Sequence, residues 1–409
     1  MPAERRTVLI VGTLDTKGVE LAYLRDRLAL SGVDAILADA GTLNEPQAPA
    51  DVTREELAAE TGADVAALRE AGDRGAAVGA MAEAAAALAA RLHGEGRIVG
   101  VLGAGGSGNT AIATRAMQAV PVGVPKLMVS TVAAADTSAY LGSSDVTMMP
   151  SVTDVAGLNS ISGRILANAA AAMAGMVKAP PVGPFHTRPL IGATMFGVTT
   201  PCVEAARAAL EGKGYEVLVF HATGTGGRAM EGLVEAGHLA GVLDSTTTEL
   251  CDDLVGGVFS AGPDRLEAAG RAGLPQVVSL GALDMVNFGA RATVPPQFSE
   301  RTLHVHNPSV TLMRTTPEEN AELGRRIAAK LAAATGPTAL FIPLGGVSAI
   351  DAEGQPFHDP AADAALFAAL RDGLEGSSVE LVELEHNVND PEFAAAMAAR
   401  LDEMIGARA

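Results

Sequence analysis

Tryptophan is absent from this 409-residue chain, and Phe, Tyr and Trp together make up only 3% of it. Its cores must therefore be built from Ala, Val, Leu, Ile and Met. Cysteine is almost as scarce. Cys202 and Cys251 are the only two, which fits a reducing compartment, and no pair has the spacing of a zinc cluster. Positive charge is short as well: 29 Lys and Arg face 48 Asp and Glu, a formal net charge of −19. Without a basic run or interleaved aromatics, no nucleic-acid partner is expected. The N-terminus, MPAERRTVLI, passes directly from a short polar start into a strand, and no apolar run of transmembrane length stands out. No signal peptide and no membrane partner are expected, which places the chain in the cytoplasm.

What is present is ample material for buried cores: 48% hydrophobic residues against 19% charged. At about 150 residues per domain, the length suits two or three domains. TVLIV, a loop GTLDTKG, the helix VELAYLRDRLALSG and VDAILADAG open the chain as strand, loop, helix, strand. Gly32 is the expected helix stop. Residues 43–75 are polar and helical in character, with Thr53 and Glu56 spaced as a capping box. An Ala-rich helix follows at roughly 76–93. RIVGVLG and VPKLMVST read as further strands. After APPVGPFHTRP the opening pattern returns: PLIGA, TMFGVTTP, CVEAARAALEGKG, YEVLVFHATG. Thr16–Glu20 lines up with Thr200–Glu204, a sign of internal duplication. AGVLD, QVVSLG, TALFIPLGG and VELVELEH continue the strands. Alternating strands and helices predict an α/β fold with two Rossmann-like lobes, each a mostly parallel sheet with helices on both faces. The expected boundaries are 1–180, a linker at 181–188, and 189–409.

The loop VLGAGGSGNT, residues 101–110, holds four glycines in six residues. Gly103, Gly105 and Gly108 fit a dinucleotide fingerprint, but the next strand ends at Val129-Ser130-Thr131 without an acid for a ribose. Gly103, Gly108 and Thr110 fit a P-loop in which Asn109 replaces the lysine. A glycine loop opening a helix suits a phosphate, so Gly103, Gly105, Gly106, Ser107, Gly108, Asn109 and Thr110 are candidate ligand contacts. Lys17 is the candidate replacement cation. Thr13 and Thr16 are candidate donors, and Asp15 is a candidate Mg²⁺ ligand through water. Thr131 and Asp136, in the polar loop 131–145, complete the first-lobe set.

The second lobe places carboxylates at strand ends. Glu249 in DSTTTEL and Asp284 in GALDMVN, with His306, are the candidate catalytic residues toward an acceptor. Gly224–Gly227 suggests a second anion site. Cys202 at a helix N-terminus is expected to have a lowered pKa.

The ordered set GTLDTKG, GAGGSGNT, DSTTTEL, GALDMVNFG, HNPSVTLMRTT and GGVSAID resembles one family from Val8 to about Leu401. It is the family typified by the N-terminal inhibitory domain of the tomato mosaic virus resistance protein, with bacterial and fungal members. The resemblance implies two Rossmann-like subdomains, ATP with Mg²⁺ as ligand, and a homodimer. With the residues it supports an ATP-binding protein, acting either as a phosphotransferase or ligase on a small carboxylate or sugar acid, or as a non-catalytic ATP-responsive regulatory or protein-binding module.

Overall fold

A computed structural model describes residues 6–180 and 188–407. The chain forms two compact units, Met1–Gly183 and Pro184–Ala409. The expected linker at 181–188 lies, but for Arg188, outside the described residues.

Unit 1 is built on five parallel strands: β1 (Thr7–Gly12), β2 (Asp34–Asp39), β3 (Val101–Gly105), β4 (Lys126–Ser130) and β5 (Thr147–Pro150), in the order β2-β1-β3-β4-β5. Its helices are α1 (Leu14–Leu30), α2 (Arg54–Ala59), α3 (Val65–Ala71), α4 (Arg74–Gly94), α5 (Ser107–Gln118), α6 (Ser138–Leu141) and α7 (Ser162–Lys178). Strand β1 alternates between two cores. Leu9 and Val11 join the α4 and α5 side, while Val8 and Ile10 join the α1 and α7 side, so both faces are covered. The Thr53–Glu56 capping box forms, and Gly32 ends α1 at φ +66°.

One expectation needs correcting. Helix α4 is long and apolar enough, by length and composition, to cross a membrane. Half of its apolar window is buried, and Met81, Ala84, Ala85 and Leu88 pack with Ile112, Ala113 and Ala116 of α5. Its many alanines allow that close approach.

Unit 2 has six parallel strands: β6 (Leu190–Met195), β7 (Glu216–His221), β8 (Gly241–Thr246), β9 (Gln276–Gly281), β13 (Thr338–Pro343) and β14 (Glu380–Leu384), in the order β14-β13-β9-β8-β6-β7. Read from β7, this is second, first, third, fourth, the same sequence as in unit 1. The duplication suggested by the sequence is therefore visible in topology. Unit 2 also carries an antiparallel sheet absent from the sequence reading: β10 (Met285–Phe288), β12 (Val310–Arg314) and β11 (Leu303–Asn307), paired in that order. The helices are α8 (Thr200–Gly212), α9 (Thr225–Glu235), α10 (Glu249–Val255), α11 (Ala268–Arg271), α12 (Pro317–Ala332), α13 (Pro360–Leu374) and α14 (Pro391–Gly406). Thr316 and Glu319 form the expected capping box, with Pro317 in the first turn of α12.

Candidate functional site

In an open α/β sheet, ligands bind beyond the carboxyl ends of strands where the strand order reverses. In unit 1 that point lies between β1 and β3. A cleft of about 350 Å³ opens there. The turn after β1 supplies Thr13, Asp15, Thr16 and Lys17, and the turn after β3 supplies Gly106, Ser107, Gly108 and Asn109.

The two helices that begin at this point differ. The first amides of α1 are already taken: Thr13 N–H donates to Asn109 Oδ1 (3.1 Å), and Leu14 N–H donates to Asp39 Oδ1 (2.9 Å). Helix α5 is open. Gly106 is its N-cap, no side chain caps it, and its first main-chain bond is Thr110 N–H to Gly106 O (2.9 Å). The amides of Ser107, Gly108 and Asn109 therefore have no acceptor among the described residues and stand at the cleft wall, on the positive end of a 12-residue helix.

Cations and apolar groups complete the lining. Lys17 and Arg74 form no ion pair among the described residues, and Arg69 donates Nε to Thr42 O (2.8 Å). Leu43, Leu68, Val78 and Ile112 give the apolar wall, and Asp154 also opens on the cleft. The sequence reading missed Arg69 and Arg74, which stand on the long connection between β2 and β3. The length of that connection was the available signal.

Asp15 is 6% exposed. Its Oδ2 accepts from the amides of Leu43 (3.0 Å) and Asn44 (3.2 Å), while its Oδ1 is buried without a partner among the described residues. Next to it, burial pushes the Asp39 carboxyl up, although the amides of Gly41 and Leu14 and the guanidinium of Arg54 oppose this. Among the described residues no group of three or more His, Cys, Asp or Glu could hold a metal. A Mg²⁺ whose other ligands are phosphate oxygens and water needs only one or two carboxylates. The orphaned Asp15 oxygen fits that kind of ion, not a protein-caged one.

Several candidate residues have other roles. Gly103 lies inside β3, where a Cβ would meet Ala113 Cβ at 2.5 Å and Met128 Sδ at 2.9 Å. Gly105, at φ +154°, makes room for Asn109. Both glycines serve packing and do not line the cleft. Asn109 was expected to face the phosphate. Its Oδ1 instead takes Thr13 N–H and Oγ1, and its Nδ2 donates to Ala104 O (3.1 Å). Thr110 is fully buried, with Oγ1 bonded to Gly106 O (2.9 Å) and Ser130 Oγ (2.7 Å). Thr131 stands beside Gly106 but outside the cleft lining. Asp136 is exposed away from it, held below the usual carboxylate range by the Ser138 amide and hydroxyl.

In unit 2, Glu249, Asp284 and His306 do not meet at an open site. Glu249 is fully buried. Its Oε1 accepts from the amides of Gly224 (2.6 Å) and Gly227 (3.1 Å), and its Oε2 pairs with Arg265 Nε (2.6 Å). The anion at Gly224–Gly227 is thus the protein's own carboxylate. Asp284 is buried in another cluster, bonded to Ser348 Oγ (2.8 Å), with its carboxyl pushed up by burial. His306 is exposed on β11. The crevice at the β6–β8 reversal is closed: Thr199 Oγ1 bonds Thr246 Oγ1 (2.8 Å), and Phe196 and Val198 pack with Ala282, Met285, Leu312 and Phe357. Cys202 has no lowered pKa; burial pushes its thiol up to about 12.

The fold and the cleft define a two-unit α/β protein with a ligand-type crevice at the strand reversal of its first unit. The chain belongs to the uncharacterised protein family UPF0261: residues 6–181 match the family's N-terminal domain and residues 188–405 its C-terminal domain. A UPF0261 protein of Clostridium tetani is 51% identical over 98% of this chain and 99% of its own length. Another, from Rhizobium meliloti, is 50% identical over 97% of this chain and 99% of its own. The ToMV resistance protein Tm-1(GCR237) of Solanum lycopersicum is 46% identical over 74% of this chain, but the match spans only 41% of that longer protein.

Proposed function

We propose that the chain binds ATP as its Mg²⁺ complex in the unit 1 cleft. The observation that carries this reading is the uncapped N-terminus of α5, opening at the strand reversal onto a cleft of about 350 Å³ that also holds Lys17 and Arg74, which form no ion pair among the described residues. Free amides and two cations suit a polyphosphate, and the wall of Leu43, Leu68, Val78 and Ile112 suits a purine face. Lys17 stands in for the missing P-loop lysine, reaching the crevice from the neighbouring turn. Asp15 is the residue that would hold Mg²⁺, which when bound neutralises phosphate charge.

The buried state of Glu249 and Asp284 favours a regulatory or protein-contacting role for unit 2 over an acceptor pocket. The small-molecule partner is then the nucleotide itself. A homodimer and a cytoplasmic location belong to the same reading.

The test is calorimetric titration of the full chain with Mg²⁺-ATP. Saturable binding is expected, and Lys17→Ala should weaken it about tenfold, near 1.4 kcal/mol. An absent binding isotherm, or an unchanged affinity in both Lys17→Ala and Arg74→Ala, sinks the reading.

A further inference from the structure

Val152 sits at φ +62°, where a β-branched residue is strained. Its side chain is 81% exposed, so packing does not require this conformation. Local hydrogen bonds hold it. Thr153 N–H donates to Ser151 O (2.6 Å), Ser151 N–H to Ser130 O (3.1 Å), and Ser151 Oγ to Thr153 O (2.6 Å). Further along, Gly157 N–H is held by Glu20 of α1. The turn follows the edge strand β5, which is separated from β3 by β4, yet it brings the next acid, Asp154, to the cleft wall. Asp154 Oδ1 accepts the Val155 amide (2.8 Å), and Oδ2 takes no donor among the described residues. Thr153 Oγ1, on the preceding residue, is buried without a partner among the described residues. A strained turn, an orphaned hydroxyl and a half-free carboxylate thus coincide where the chain meets the cleft.

The strand order arranges what the cleft presents. Leu43, Leu68 and Val78 come from the connection after β2, the free amides come from the turn after β3, and Asp154 arrives from the β5 side. On the ATP reading, a base laid against Leu43, Leu68 and Val78 would direct the phosphates past α5 toward Asp154. Building on the ATP reading above, we propose that Asp154 is the general base that passes the terminal phosphoryl group of bound ATP to water. The water oxygen bonds to the γ-phosphorus while the bond from that phosphorus to the β–γ bridging oxygen breaks. The water proton goes to the Asp154 carboxylate, and the products are ADP and inorganic phosphate. The α5 amides, Lys17 and Arg74 hold the phosphate charge during the transfer. Val152 is a positioning residue: the left-handed conformation held at its backbone is what aims Asp154.

The test follows phosphate release and ATP affinity in parallel, on the full chain with Mg²⁺. Wild type should turn over, and Asp154→Asn should lower kcat by about 100-fold or more while Kd for ATP stays within about threefold. Val152→Pro fixes φ at about −65° and so turns the loop without removing the carboxylate. It should keep Kd within about threefold but lower kcat about tenfold, a split that a merely structural turn would not produce. Wild type that binds ATP without releasing phosphate overturns the proposal, as does an Asp154→Asn variant with normal kcat; both leave the nucleotide reading intact. Wild type that fails to bind ATP removes that reading and this one with it.

Discussion

Asn109 and Thr13 are joined twice: the Asn109 carboxamide oxygen accepts both the backbone N–H (3.1 Å) and the hydroxyl (2.9 Å) of Thr13. The bond spans 96 residues and ties the turn after β1 to the start of α5, the two sides of the unit 1 cleft. An asparagine where a P-loop would have lysine is therefore a clamp between loops, and in the proposed ATP site the cation would come from the clamped partner turn. Asn109→Ala leaves the Thr13 amide and Ala104 O without their buried partner. A loss of roughly 2–4 kcal/mol in denaturant unfolding is expected, together with weaker ATP binding. Unchanged stability would deny Asn109 the clamp role.

The glycines of the same loop separate into two kinds. A side chain at Gly103 collides with Ala113 and Met128, whereas one at Gly106 meets nothing nearer than Thr131 Oγ1 at 3.7 Å. Gly103→Val should therefore destabilise or prevent folding, with overpacking of at least about 1–3 kcal/mol. Gly106→Val should fold normally and lose ATP, because its side chain enters the space beside the free amides. Thermal melts with nucleotide titration distinguish them; ATP binding that survives Gly106→Val would move the ligand elsewhere.

The continuously apolar strands of both parallel sheets were legible because strands buried on both faces leave an unbroken hydrophobic signature. β5 and β10 to β12 were not. TMMP is a short, half-exposed edge strand, and LHVHN is a largely exposed strand with mixed polarity. In the site, glycine density marked the α5 turn and Thr13–Lys17 its neighbour. Density alone did not separate glycines needed for packing, Gly103 and Gly105, from those lining the cleft. Arg69 and Arg74 sit in a polar helical stretch that reads as solvated until folding turns it toward the crevice. The acids of unit 2 were misjudged for the converse reason. A carboxylate at a strand end looks the same in sequence whether it meets a ligand or an internal arginine, and Arg265 lies 16 residues beyond Glu249 without a motif to join them.

Glu249 offers a direct check on that reassignment. It and Asp244 pair with one fully buried guanidinium, that of Arg265, and a Cβ on Gly227 would come within 2.1 Å of Glu249 Oε2. Glu249→Gln keeps the shape and removes one buried charge. Breaking a buried ion pair from one side costs about 3–5 kcal/mol, with the lower end expected here because Asp244 remains. Chemical denaturation should show a loss near 3 kcal/mol. A variant as stable as wild type would return Glu249 to the list of residues free for chemistry.

Asp252 should give unit 2 a pH-dependent stability of defined sign. Its carboxyl is 1% exposed and accepts the amides of Asn287 and Phe259, both at 2.7 Å. Burial nonetheless dominates and pushes its pKa up to about 7. The unfolded chain loses this proton near pH 4, so between about pH 4 and 7 the folded state holds more protons than the unfolded one. This contribution to stability is complete below the unfolded pKa, declines as pH rises through the window, and levels off above 7. Asp284, Asp351 and Asp363, all raised chiefly by burial around Arg314, act in the same direction. Wild type should therefore unfold at higher denaturant at pH 5 than at pH 7, and Asp252→Asn should shrink that difference by about 2 kcal/mol without abolishing it. Equal slopes in the two proteins would mean that Asp252 remains ionised when folded.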